Sequence, residues 1–340
     1  MDPITLDVFN GDAFNCASLT DAINHIPFIP GRAGQVANWE EDGVPTTSII
    51  LEEREGELVL LNPTPRGGPG QTSIEPPRKA RSLIVPHYQH DDKILADSVQ
   101  NVRAFGETNV LETLQDRVNR RLEQHVRWKL DPTLEFQRIG ALKGVILNAD
   151  GTTLYNLFTE FGVSQAAEVD FDLDNANPTD GILREKCDDV SRLISDALGG
   201  VSFSGIHAFC GTAFWKDLIK HPEVREVYLA SQTLATALLN PMAYKTIKIG
   251  DITFEEYRGK NGNNPFVATD AVHCFPVGVP GLYRTIYAPA DYEETVNTDG
   301  LPRYSKQYPM ANGKGRHLES QMNAINYNTR PKTLIKGKRT

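Results

Sequence analysis

The chain has 340 residues, of which 40% are apolar and 23% charged, with a formal net charge of −9. That length suggests roughly two domains with real cores, and the composition excludes a disordered chain. The acidic balance argues against a general nucleic-acid binder, which needs a basic face to displace counterions from phosphates; it does not exclude a protein that encloses nucleic acid without gripping it.

The opening stretch MDPITLDVFNGDAFNC carries acids where a signal peptide needs positive charge. No run approaches the ~20 apolar residues of a membrane span. A soluble protein made in a cytoplasm is expected. Cys16, Cys187, Cys210 and Cys274 form no C-x-x-C pair and read as free thiols, mostly packed.

Residues 1–46 are rich in turn residues (IPFIPGRAG, EEDGVPTT) and read as an extended arm. TSIILEEREGELVLLN follows, two β-prone stretches around a charged turn at Gly56. Then comes a long finger. Leu58–Leu61 and Ser82–Val85 are apolar and β-prone, and between them lie five prolines and three glycines. Arg66, Arg78, Lys79 and Arg81 make the segment basic against a single acid, Glu75. A connection of this length is normally functional or disordered.

Within residues 97–130, Val99, Val102, Val110, Leu114, Val118, Leu122 and Val126 recur at helical steps and form one apolar stripe. Asp116 with Arg120, and Glu123 with Arg127, are i,i+4 pairs on the wet side. Asp131-Pro132 is expected to close this helix, which at 1.5 Å per residue would run to roughly 45 Å. Gly106 marks a weak point or bend.

GVILNADGTTLYNLFTEFG reads as a hairpin with an Asp150-Gly151 turn. The polar linker DFDLDNANPTDG leads to a helix over residues 181–198, ending at Gly199-Gly200. VSFSGIHAFC alternates as a strand. Two helices divided at Pro222 follow, then a hairpin turning at Gly250-Asp251. AVHCFPVGVPGLYRTIYAP reads as a buried strand pair broken by Pro276 and Pro280, and RPKTLIKGKRT as a basic, solvated terminus or a contact for an acidic partner or DNA. No fixed-period repeat occurs. This order of elements is α+β.

Sites for chemistry are weak. HYQHDD places His87, His90, Asp91 and Asp92 together, but after Pro86 the backbone is extended and positions three apart face opposite sides; a polar loop is the expected reading. DFDLDN has the one-three-five spacing of a calcium loop but lacks its later Gly and Glu. No phosphate-binding loop, nucleophile elbow or dinucleotide fingerprint is present. No catalytic residue, cofactor or metal site is expected.

FPVGVPGLYRTIYAPADYEETVNTDGLPRYSKQ and GKGRHLESQMNAINYNTRP resemble the signature of the phage major capsid protein E family, the lambda-type shell subunit. FNCASLTDAINHIPFIPGRAG and ARSLIVPHYQHDDKILADSVQNVRAFG resemble the same family. The resemblance spans nearly the whole chain and is weakest over residues 165–245.

It implies a Hong Kong 97-like fold. The N-terminal arm would be residues 1–46 and the E-loop 47–90. A peripheral domain with its spine helix would occupy 91–165 and an axial domain 166–245. Returning peripheral or axial strands and a C-terminal tail would fill 246–340. It also implies a major capsid protein that assembles with itself into pentamers and hexamers of an icosahedral head, with a separate scaffolding protein, a portal protein, a decoration or cement protein as a further candidate, and packaged DNA on the inner face. Assembly in the host cytoplasm and residence in the virion follow.

In this reading Arg66, Arg78, Lys79 and Arg81 lie on the E-loop as intersubunit contacts, and the acidic subunit lets DNA slide. Lys79 has no identified partners for a covalent cross-link. The competing readings are an encapsulin-like nanocompartment shell protein and a metal-dependent enzyme using His87 and His90.

Overall fold

The computed structural model describes residues 16–26, 31–53, 79–98, 114–175, 177–230, 245–311 and 313–340. It opens with α1 (Cys16–His25), α2 (Arg32–Val36) and β1 (Trp39–Gly43). Residues 16–26 and 31–43, within the arm expected before residue 46, form these elements and pack on the body. Leu19 and Ile23, four residues apart on one helix face, are fully buried and anchor it.

β2 (Ser48–Glu53) pairs antiparallel with β3 (Lys79–Ile84), Ser48 opposite Ile84, as the base of the finger. Leu58–Leu61 lie outside the described residues. β4 (His87–Leu95) follows, so HYQHDD is a strand rather than the expected polar loop.

The long helix is described from Leu114, leaving Val99, Val102 and Val110 outside. α3 (Leu114–His125) passes through a π-helical turn, Val126–Leu130, directly into α4 (Asp131–Lys143). Asp131-Pro132 therefore does not close it. Val118, Leu122, Val126, Leu130 and Leu134 are all buried, at steps of four. An α-helix drifts by about 40° at each such step, and a wider turn with an extra residue rewinds the stripe onto the core. That turn, closed by the Asp131 N–H on the Val126 carbonyl, also relieves the clash a proline ring makes in an α-helix. The helix ends at Gly144, left-handed with φ 80°.

β5 (Val145–Leu147) and β6 (Thr153–Asn156) form the expected Asp150-Gly151 hairpin, followed by α5 (Leu157–Phe161). β7 (Val169–Asp170) precedes α6 (Ile182–Leu198), which stops at Gly199. β8 (Gly205–Cys210), α7 (Thr212–Lys220) and α8 (Pro222–Ala230) come next. β9 (Thr246–Ile249) turns at Gly250-Asp251 into β10 (Ile252–Glu256), and β11 (Lys260–Asn261) pairs with β12 (Asn264–Pro265). The last strands are β13 (Ala271–Val277), β14 (Tyr283–Tyr287), β15 (Tyr304–Pro309), β16 (Gly315–Asn328) and β17 (Ile335–Lys338).

Two sheets organise the fold. A five-stranded sheet runs β1-β14-β16-β15, with β4 also on β16. A six-stranded sheet runs β7-β17-β13-β8-β10-β9. The expected strand pair over residues 271–289 is therefore split, β13 entering one sheet and β14 the other. Pro276 sits inside β13, and the Tyr283 hydroxyl donates to its carbonyl at 2.8 Å across the break. The basic terminus is no solvated tail either. Leu334 and Ile335 are buried, Lys336 and Lys338 pair with Glu168 and Asp170, and Arg339 pairs with Asp217.

One apolar core lies between the six-stranded sheet and α6 and α7. A second packs Leu19 and Ile23 of α1 and Val118 and Leu122 of α3 on Ile94, Leu318 and Met322 of the five-stranded sheet. A third, with Ile146, Leu157, Ile286 and Ile325, underlies the β2–β3 ribbon. No helix among the described residues is long and apolar enough to cross a membrane.

Burial, with Lys143 and Lys336 beside it, pushes His273 of β13 down to about 3. It stays neutral when folded but takes a proton near pH 6.5 once unfolded. The unfolded chain then binds more protons below that pH, so stability falls as pH drops from about 6.5 toward 3. Calorimetry between pH 7 and pH 5 is expected to show a steeper loss of Tm for the parent than for His273→Asn. Equal slopes would show that His273 is not the group responsible.

Candidate assembly surfaces

The β2–β3 ribbon has two unlike faces. Alternation turns Ile49 and Leu83 down into the third core, where both are buried. Ile50 and Ile84, on the opposite face, are 69% and 67% exposed. The ribbon is stapled to its own subunit from the side: the Tyr155 hydroxyl donates to the Ile84 carbonyl at 2.7 Å, and Arg81 Nη1 donates to the Thr159 carbonyl at 3.1 Å. Of the four basic residues expected to reach a neighbour, Arg81 thus bonds within its own chain. Lys79 opens β3, but its side chain, like Arg66 and Arg78 as whole residues, lies outside the described residues.

The His87/His90 cluster does not converge. In β4 the two side chains take opposite faces. His87 Nδ1 lies 2.8 Å from Asn323 Oδ1, whereas the His90 ring meets His125 of α3 edge-on, centroids 4.7 Å apart. His125 Nδ1 lies 2.8 Å from Ser320 Oγ, and its Nε2 lies 3.4 Å from Asp92. Burial, and then the neighbouring His90, hold His125 below the usual histidine range. Burial would raise Asp92, but the Lys93 N–H, Arg121 and His125 outweigh it and keep the carboxyl low. The group is a polar joint between helix and sheet, and the enzyme reading loses its paired ligands.

A second buried joint ties α2 to the body. Glu255 is fully buried and accepts from Arg32 Nε at 2.6 Å and Nη2 at 2.8 Å, with His207 Nε2 at 3.0 Å. Burial alone would raise Glu255; the hydrogen bonds from His207 and Arg32 hold it below the ordinary glutamate range. The three groups satisfy one another, and Arg32 Nη1 also donates to Gln35 Oε1 at 3.2 Å. Cys187, Cys210 and Cys274 are buried free thiols, and Cys16 is half-buried.

Sequence patterning did not single out one exposed aromatic residue. Trp128 lies in the π turn and is 70% exposed. Its place two residues from Val126 and from Leu130 sets it opposite the apolar stripe, a signal present in the sequence.

A family model described as phage major capsid protein E matches residues 15–339. The major capsid protein of Pseudomonas phage KPP10 is 30% identical over 344 residues, covering 96% of this chain and 97% of its own. That of Salmonella phage Felix O1 is 26% identical, covering 95% of each. A crystal structure assigned to a prophage capsid protein of E. coli CFT073 superposes with a TM-score of 0.51 at 12% identity, over 77% of this chain and 80% of that one. This last likeness supports the fold alone. With the match running almost end to end, the chain belongs to the phage major capsid protein E family, and its role is that of a major capsid protein, structural rather than enzymatic.

Proposed function

We propose that copies of this chain assemble into the pentamers and hexamers of an icosahedral head enclosing double-stranded DNA. The six-stranded sheet with α6 and α7 would be the axial domain, and the five-stranded sheet with α3 and α4 the peripheral domain and spine. The observation that carries this reading is the β2–β3 ribbon, which leaves Ile50 and Ile84 on one open face while its other face is packed. A paired apolar face of this kind gains most when laid on a neighbouring copy. Arg66, Arg78 and Lys79 in the finger beyond it meet acidic surface there. A scaffolding protein, a portal protein and a decoration protein are proposed partners, and DNA touches the inner face without specificity. Negative-stain microscopy of the purified chain tests the reading: shells or capsomers are expected, and compact monomers under all conditions would refute it.

Each exposed charge pair is worth only ~0–1 kcal/mol, but the finger repeats around every capsomer. Assembly is expected to weaken as salt shortens the Debye length from ~10 Å to ~3 Å. Reversing Arg78 and Lys79 to Glu is expected to impair it even at low salt. Light scattering across a salt series checks both; parent-like assembly by the reversed variant would leave only backbone and apolar contacts.

A further inference from the structure

Two exposed patches beside the spine have opposite chemistry. The first is Trp128, flanked by Arg127 and Lys129, both exposed. Arg127 shares its charge with Glu123 at 2.8 Å, and Lys129 forms no ion pair among the described residues. The second is the loop after β14. Val296 is 64% exposed and Leu301 also stands out, with Glu293 and Asp299 exposed beside them.

That loop is held in place. Thr295 Oγ1 donates to the Ala290 carbonyl at 2.8 Å, Thr298 Oγ1 to the Thr295 carbonyl at 2.8 Å, and the Gly300 N–H to the Val44 carbonyl at 3.1 Å. The Leu301 N–H donates to the Tyr304 hydroxyl at 2.8 Å. The apolar tips are thus presented at little further entropic cost.

The patches adjoin. Arg303, two residues after Leu301, pairs at 2.7 Å with Asp131, three residues after Trp128, and both partners are largely buried. Within one chain they remain open to water. Tryptophan and arginine are the residues that most often anchor an interface once desolvated.

We infer that Trp128, Arg127 and Lys129 of one copy receive Val296, Leu301, Glu293 and Asp299 of a second copy. This rests on the self-assembly proposed above. Charge complementarity selects the occupant: the loop is acidic and aliphatic, the turn basic and aromatic. The finger is a poor occupant, because Arg66, Arg78 and Lys79 would face Arg127 and Lys129 with like charge.

The chain has three tryptophans. Trp215 is buried and Trp39 partly so, which makes acrylamide quenching a reporter of Trp128, with Trp128→Phe as its baseline. Quenching is expected in free subunits and strong shielding in shells formed by the chain alone. Lys129→Glu is expected to raise the concentration needed for assembly about tenfold, and adding Asp299→Lys to that variant to restore it. Shells in which Trp128 stays quenchable, or failure of the second substitution to rescue the first, would overturn the contact while leaving the capsid reading intact. So would shielding that appears only when nucleic acid or another protein is added. A parent chain that never forms shells would defeat both.

Discussion

Deleting residues 64–78 is expected to leave a soluble, folded subunit that forms no shells. The deletion spares β2 and β3, whose inward residues Ile49 and Leu83 complete the third core. It leaves residues 54–63 as a shorter link, and shortening a closed loop changes its entropy only slightly, about 0.6 kcal/mol per halving. The melting transition is therefore expected to stay near that of the parent. What disappears is the basic finger with Arg66 and Arg78, the part with least reason to exist in an isolated subunit. Circular dichroism and sedimentation separate the outcomes. Wholesale aggregation would mean that the segment belongs to the fold, and normal shells would mean that it is no intersubunit arm.

Leu122→Ala is expected to destabilise the unassembled subunit by about 2–5 kcal/mol. Leu122 is 1% exposed and sits where α1, α3 and the five-stranded sheet meet, among Leu19, Ile23, Val118 and Leu318. A cavity there is bounded by three elements, each also fixed by partners outside the contact, so collapse around it is limited. Trp128→Ala, six residues along the same helix but in water, is expected to change stability by less than ~0.5 kcal/mol. Thermal or urea melting of the subunit checks both. A change under ~0.5 kcal/mol at Leu122 would mean that the buried stripe is elsewhere. Leu114, expected on the same stripe, lies on α3 with its side chain outside the described residues, and Leu114→Ala tests whether the stripe extends that far.

Local chemistry was readable where it acts over a few residues. Asp150-Gly151 and Gly250-Asp251 turn their hairpins, Gly199 ends α6, and Pro222 divides α7 from α8, because each imposes backbone geometry by itself. Pairing between distant segments left no such mark. β13 and β14 are both largely buried and separated by only a few residues, yet one joins β8 and the other β16. The basic terminus looked solvated because its acids, Glu168, Asp170, Asp217 and Asp270, lie far earlier in the chain. Pro132 was read as a stop because the π turn that accommodates it depends on a core stripe continuing beyond it. The assembly surfaces divide in the same way. The finger was conspicuous from its prolines and charges, whereas helix periodicity marks Trp128 only as outward-facing, which does not distinguish it from an ordinary surface residue.

The five-stranded sheet joins early and late parts of the chain. Thr20 of α1 exchanges hydrogen bonds with Ser305, 285 residues away, while β1 pairs with β14 and β4 with β16. During synthesis α1, β1, β4 and α3 must therefore wait for partners that leave the ribosome near the end of translation. Such distant pairings make folding slow and keep apolar surface open in the meantime. The ribbon rests on Ile146 and Leu157 but also on Ile286 and Ile325, so its floor is completed only at the same late moment. A partly made chain thus lacks a complete platform for the finger, and if the finger is the intersubunit arm proposed above, competence for association arrives only with a nearly complete polypeptide.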